Sequence, residues 1–158
     1  MNIPKVLIFG YGNPSRGDDA LGPALIESIE AKTLPAIECQ NDMQLQVEHV
    51  TDIQDRELIL FVDADASCHA PFHFSQISAV KDDSYTSHAM SPYALLHAYH
   101  HVYGMDAPPA FLLRVRGYQF ELGEDLSRQA TTNLSKARLF SQKLCNTPDV
   151  KKWLDYLR

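Results

Sequence analysis

Continuous apolar runs alternate with amphipathic stretches along this chain. Apolar, β-branched and aromatic residues bounded by turn residues predict five strands. These predicted strands span residues 6–9, 34–39, 58–62, 72–80 and 110–115. The first and third runs are apolar without a break, as in strands buried on both faces of a sheet, whereas 72–80 alternates less regularly and is predicted at a sheet edge.

The segments between the strands carry apolar residues at helical spacing. They predict helices that begin at Asp18 or Asp19 and at Ser91, with Pro92 at the first helical position, together with helices over 43–50, 124–144 and 148–157. Strands that alternate with helices predict right-handed βαβ crossovers. We therefore expect one α/β domain over residues 1–158, with a mostly parallel, twisted central sheet and helices on both faces. In such folds the functional residues follow the carboxyl ends of the strands.

Composition narrows the class of partner. The 158 residues include 14 Lys and Arg against 20 Asp and Glu, a formal net charge of −6, and this acidic balance argues against nucleic acid. Neither a signal peptide nor an apolar run of about 18 residues is present, so we expect a cytoplasmic protein with no membrane contact. Cys39, Cys68 and Cys145 are far apart, which indicates buried thiols in a reducing compartment rather than disulfides or a zinc site.

The loop after the first strand carries unusual chemistry. Residues 5–22 read KVLIFGYGNPSRGDDALG. A dinucleotide fingerprint would need a third glycine where Ser15 stands, and Asp18 and Asp19 would repel a pyrophosphate. No Gly-Lys-Ser/Thr follows, so a Walker loop is excluded as well. In a purely structural interpretation, Asp18 caps the following helix and Asp19 is solvated.

A third carboxylate favours a metal instead. Asp63 directly follows the apolar run LILFV, where an unpaired buried charge would be costly. Carboxylates from neighbouring strand ends repel one another unless a cation holds them together. Among the histidines, His88 lies just before the helix start at Ser91, whereas His97 and His101 have helical i, i+4 spacing but lack the glutamate of an H-E-x-x-H site.

Taken together, these residues resemble the hydrogenase maturation proteases, the endopeptidases that process the large subunit of [NiFe] hydrogenases. The resemblance rests on four segments in the same order, which are Gly10-x-Gly12-Asn13-x(4)-Asp18-Asp19-x-x-Gly22, Val62-Asp63-Ala64, Ser87-His88-x(6)-Leu95-Leu96 and the later RGYQFELGEDLS. It implies that Asp19, Asp63 and His88 are both the nickel ligands and the catalytic residues, with Asp18 or Asp65 orienting them or acting as a base. Where many relatives have a Gly-Thr-x-Gly-like turn, this chain reads CQNDMQLQ, which suggests a subgroup with its own partner.

The function implied by the resemblance is cleavage of one peptide bond. A nickel-dependent endopeptidase would remove a short C-terminal extension from the large-subunit precursor after nickel insertion. The precursor would supply the nickel, and the free protease would be a monomer with no tightly bound metal. No Ser or Cys stands in a nucleophile arrangement. The alternative is a non-catalytic metal-sensing or chaperone module that binds the nickel-loaded precursor without cutting it.

Overall fold

The structure, a computed structural model, describes residues 3–81 and 90–157. Its strands are β1 (Val6–Tyr11), β2 (Ile37–Asp42), β3 (Leu58–Asp65), β4 (Phe72–Ile77) and β5 (Ala110–Arg116). Its α-helices are α1 (Leu21–Glu30), α2 (Val50–Ile53), α3 (Pro92–Tyr103), α4 (Arg128–Asn146) and α5 (Val150–Asp155). Short 3₁₀ helices, Gly17–Ala20 and Val47–His49, precede α1 and α2. Among the described helices, none combines the length and the apolar character needed to cross a membrane.

The strands form one sheet in the order β2-β1-β3-β5-β4. All neighbours are parallel except β4 and β5, so the predicted α/β fold and the predicted edge position of β4 are confirmed. The chain passes from β1 to β2 on one side and returns to β3 on the other side of β1. The strand order thus reverses between β1 and β3, and ligands bind beyond the carboxyl ends of strands at such a point.

Each face of the sheet is covered by its own helices. On one face, α1, α4 and α5 form a core in which Trp153 is fully buried against Phe111. On the other face, α2 and α3 cover Phe9, Phe61 and Leu112. Apolar side chains on both faces explain why β1 and β3 read as unbroken apolar runs.

Some helices and strands differ from those predicted by apolar spacing. The differences occur where hydrogen bonds of polar side chains determine the local structure. The second strand lies three residues later than predicted, and the helix predicted over 43–50 is wrong. Met43 and Val47 are more than half exposed, and the Gln46 N–H donates to His49 Nδ1 at 2.8 Å. The His49 ring is also 3.1 Å from Asp42, which holds this segment as a turn. Helix α4 begins at Arg128 rather than 124 because Ser127 caps it, accepting from the Ala130 N–H at 3.2 Å.

Candidate active site

Two glycines let the first loop pack against the strand ends. Gly12 has φ +150°, and a Cβ at this position would clash with the Asp19 carbonyl oxygen. A Cβ on Gly22 would lie 2.7 Å from the Tyr11 carbonyl oxygen and 3.0 Å from that of Val62. Only glycine permits both approaches. As a result, the start of α1 lies directly over the ends of β1 and β3.

Asp18 is a fully buried structural carboxylate. It accepts hydrogen bonds from the backbone N–H groups of Tyr118 (2.7 Å), Gln119 (3.1 Å) and Ser127 (2.7 Å), and from the Ser127 hydroxyl (2.7 Å). Burial alone would raise the pKa of Asp18, but these hydrogen bonds outweigh it and hold the pKa below its usual value. Asp18 is therefore neither a helix cap nor a group free to bind metal. It ties the first loop to the segment 118–127.

Asp19 and Asp63 form a pair of carboxylates at the switch point. Asp19 Oδ2 accepts the Asn13 N–H at 2.6 Å. Burial and the negative charge of Asp19 raise the pKa of Asp63 to about 7, although the Ala64 N–H and the Tyr11 hydroxyl act in the opposite direction. Asp19 packs against Gly12, and Asp63 lies against the adjacent residue Tyr11, so the two carboxylates are neighbours that repel each other.

This pair lacks a cationic partner within the described part of the chain. The ion pairs found there involve other carboxylates, so neither Asp19 nor Asp63 is neutralised by Lys or Arg. A divalent cation would remove the repulsion, and oxygen donors are suitable ligands for it. Over residues 3–81 and 90–157, no group of three potential ligands is present. His88, the predicted third ligand, lies outside the described residues.

Asp65 is fully engaged next to this pair. Its Oδ1 accepts from the Ser67 N–H at 2.7 Å and from the Ser67 hydroxyl at 2.8 Å, and its Oδ2 accepts from Arg114 Nη1 at 2.9 Å. Burial would raise the pKa of Asp65, but the contacts with Ser67 and Arg114 hold it below its usual value. Asp18 and Asp65 are thus both poor candidates for the base that the sequence suggested.

His97, His100 and the thiols of Cys39 and Cys145 lie away from this chemistry. His97 and His100 are near the start of β5, at the opposite end of the sheet, and His100 pairs with Asp106 at 3.3 Å. Burial raises the pKa of Cys39 to about 12 and that of Cys145 to about 11. A cysteine nucleophile needs the opposite shift.

Sequence reasoning missed two residues beside Asp63. Tyr11, at the end of β1, lies against the Asp63 carboxylate, and burial and this carboxylate raise its pKa well above the usual value. Arg114 occupies the β5 position in register with Asp63. An arginine near the end of an otherwise apolar strand was the signal that could have identified the second of these.

Comparison with solved structures gives a consistent match to this architecture. HycI, a [NiFe] hydrogenase maturation protease from Thermococcus kodakarensis KOD1, aligns with a TM-score of 0.66 at 20% identity, covering 91% of this chain and 94% of its own. The hydrogenase maturating endopeptidase HybD from E. coli aligns with a TM-score of 0.69 at 19% identity, over 90% and 93% of the two chains. This chain has the fold of the hydrogenase maturation proteases.

A third solved structure supports the same fold, whereas comparisons of sequence found no relative. A hydrogenase 2 maturation peptidase from Thaumarchaeota archaeon SCGC_AB-539-E09 aligns with a TM-score of 0.63 at 19% identity, over 88% of this chain and 96% of its own. No protein-family model matches the sequence, and comparison with curated protein sequences found no match. The likeness to maturation proteases is therefore one of fold, and it confirms the fold that the sequence resemblance implied.

Proposed function

We propose that this chain is a nickel-dependent endopeptidase. Its substrate would be the large-subunit precursor of a [NiFe] hydrogenase, from which it would remove a short C-terminal extension after nickel insertion. The observation that supports this proposal most strongly is the pair Asp19 and Asp63. These neighbouring carboxylates have no Lys or Arg ion-pair partner among the described residues, and they lie at the switch point of a fold shared with maturation proteases.

In this proposal the nickel arrives as part of the substrate. Asp19 and Asp63, with His88 as the third ligand, would bind the metal of the loaded precursor and so hold the adjacent peptide segment in a fixed register. A precursor without nickel would leave the two carboxylates repelling each other and would not be held. The metal would serve to position the scissile bond and to stabilise charge that develops there.

A processing assay tests the proposal. A cognate large-subunit precursor is incubated with the wild-type protein or with Asp19→Ala, with and without nickel, and its length is followed by gel and mass spectrometry. We expect shortening only with nickel and only by the wild type. His97→Ala is the matched control, since His97 lies at the other end of the sheet, and this variant should process normally.

Each alternative result has a distinct meaning. If the wild type binds a nickel-loaded, matched precursor but leaves its length unchanged, the protein is the non-catalytic metal-sensing or chaperone module. Cleavage that does not depend on nickel would leave the endopeptidase in place and disprove the role given to Asp19 and Asp63.

A further inference from the structure

One face of the sheet changes from apolar to polar towards the carboxyl ends of its parallel strands. On the face covered by α2 and α3, the apolar positions include Phe9, Phe61, Leu112 and Ile77. Since side chains alternate along a strand, the next residues on this face are polar. Five of them form a strip across four strands, here called the polar strip, which consists of Tyr11, Asp63, Asp65, Arg114 and His73. Arg116, the next residue of β5 on this face, donates instead to the Gly117 and Cys68 carbonyls.

Arg114 is the cationic side chain of the polar strip, and it is held in a fixed position. It is in register with Asp63 on one side and with His73 on the other. Its Nη1 donates to Asp65 at 2.9 Å, and its Nη2 lies 3.1 Å from His73 Nδ1. Arginine can only donate, so His73 Nδ1 is the acceptor. Asp65 is itself held by Ser67, and the guanidinium is thereby oriented before any ligand binds.

The hydrogen-bonding capacity of Arg114 is only partly used. Within residues 3–81 and 90–157 its Nε is buried without a partner, although 32% of the side chain is exposed. Two of the five N–H bonds of a guanidinium account for the contacts with Asp65 and His73. Asp18, by contrast, has four donors for its two oxygens. Arg114 is thus a fixed cation with unused donors, one strand away from Asp63.

We propose that Arg114 is a specificity-determining residue that binds a carboxylate of the peptide substrate. This inference rests on the proposed endopeptidase function. Neighbouring strands lie about 4.8 Å apart, and an extended peptide advances about 3.3 Å per residue. A peptide that crosses from Asp63 to Arg114, one strand away, therefore places its carboxylate about one or two residues from the scissile bond. A carboxylate matches the planar fork of arginine better than a carbonyl group does.

The test compares processing kinetics of Arg114→Met, Arg114→Lys and the control Arg138→Met. Arg138 is exposed in α4, so its replacement makes the same change in net charge away from the polar strip. For Arg114→Met we expect KM for the precursor to rise about ten- to hundredfold, with kcat changed much less. Arg114→Lys, which keeps the charge without the fork, should show an intermediate KM. Arg138→Met should match the wild type, and urea unfolding of all variants identifies any that fail to fold.

Two altered precursors identify the source of the carboxylate. In one, the acidic side chains within three residues of the cleavage site are changed to amides, and in the other the C-terminus is extended by several neutral residues. Whichever change raises KM for the wild type should have no further effect on Arg114→Met, because the two partners act as a pair. An unchanged KM for Arg114→Met and Arg114→Lys overturns the inference, as does additivity of the enzyme and substrate changes.

Direct binding of the precursor separates this inference from the proposed function. If the wild type does not cleave, the endopeptidase proposal fails, and precursor affinity measured by biolayer interferometry decides the role of Arg114. Affinity lost in Arg114→Met and retained in Arg138→Met supports a carboxylate-binding arginine. Equal affinity in both variants rejects it.

Discussion

At the residue scale, Asp18 and Asp19 are sequence neighbours whose carboxylates have different surroundings. Among the described residues, Asp18 is buried and accepts four hydrogen bonds, whereas Asp19 accepts one, from Asn13. Asp18→Asn places an amide N–H group against N–H donors, and we expect it to lower the free energy of unfolding by about 2–4 kcal/mol. Asp19→Asn should change stability by less than about 1 kcal/mol yet abolish processing. Urea unfolding and the processing assay are run on both variants. A larger loss of stability in Asp19→Asn than in Asp18→Asn would contradict the prediction.

Asp63 gives a pH-dependent prediction for the chelator-treated protein. Its pKa of about 7 in the folded state lies above the unfolded value of about 3.9. The Asp63 carboxyl group therefore binds its proton more tightly in the folded protein than in the unfolded chain. The stability that this proton contributes is fully present below about pH 3.9 and is lost as the pH rises through about 7. Because asparagine does not ionise, Asp63→Asn should be more stable than the wild type, with a larger gain at pH 8 than at pH 5, and inactive in processing. Unfolding curves at both pH values measure this gain, and a constant difference would rule out the raised pKa.

The thiols give a third prediction at this scale. Burial raises the pKa of Cys39, Cys68 and Cys145, so little thiolate forms near neutral pH. Treatment with iodoacetamide at pH 7.5 should leave processing intact, with alkylation much slower than in the same protein unfolded in urea. Mass spectrometry counts the modified thiols. Rapid loss of processing on alkylation of one thiol would point to a functional cysteine instead.

At the element scale, Ser127 joins the first loop to α4. Its hydroxyl caps α4 at the Ala130 N–H and donates to Asp18. Ser127→Ala removes both contacts, and we expect a loss of about 1–3 kcal/mol in the free energy of unfolding. Because the two side chains share a hydrogen bond, the loss in the double variant Asp18→Asn, Ser127→Ala should be smaller than the sum of the single losses. A double-mutant cycle from urea unfolding measures this coupling, and simple additivity would refute it.

The elements that local pattern predicts correctly are those whose stability comes from apolar periodicity. β1 and β3 follow from unbroken apolar runs, and α3 follows from Ser91 and Pro92 at its start. The segment 43–50 has helical spacing as well, but Met43 and Val47 remain exposed while His49 holds the turn. Tertiary hydrogen bonds override the pattern there, and no local signal reports them.

The same contrast applies to the candidate site. Topology alone predicts that carboxylates following β1 and β3 meet at the switch point. The choice of Asp19 over Asp18 as a candidate ligand came from the family resemblance. The role of Asp18 could not be predicted, because its partners lie at least 100 residues further along the chain. Arg114 pairs with Asp65 across 49 residues, and its importance became visible only from the strand register.

At the scale of the whole molecule, metal affinity depends on whether the site is complete without its substrate. The described residues contribute two carboxylates that repel each other, with no group of three ligands. We expect the isolated protein to bind nickel with a dissociation constant in the micromolar range or weaker. Calorimetric titration of the chelator-treated protein checks this value, with Asp63→Asn as a control that should bind more weakly still. Tight stoichiometric binding by the wild type alone would mean that the protein has its own resident metal.

The four hydrogen bonds to Asp18 also determine how late during synthesis the first loop of this chain can fold. The donors from Tyr118 to Ser127 are synthesised about a hundred residues after the carboxylate, and closing so long a loop is an entropic cost that other contacts must first offset. A nascent chain that stops before Tyr118 has β1 and β3 but a charged Asp18 with none of these partners. The first loop therefore acquires its shape as a late event of folding. Truncated or partly synthesised chains should not compete with the finished protein for its substrate.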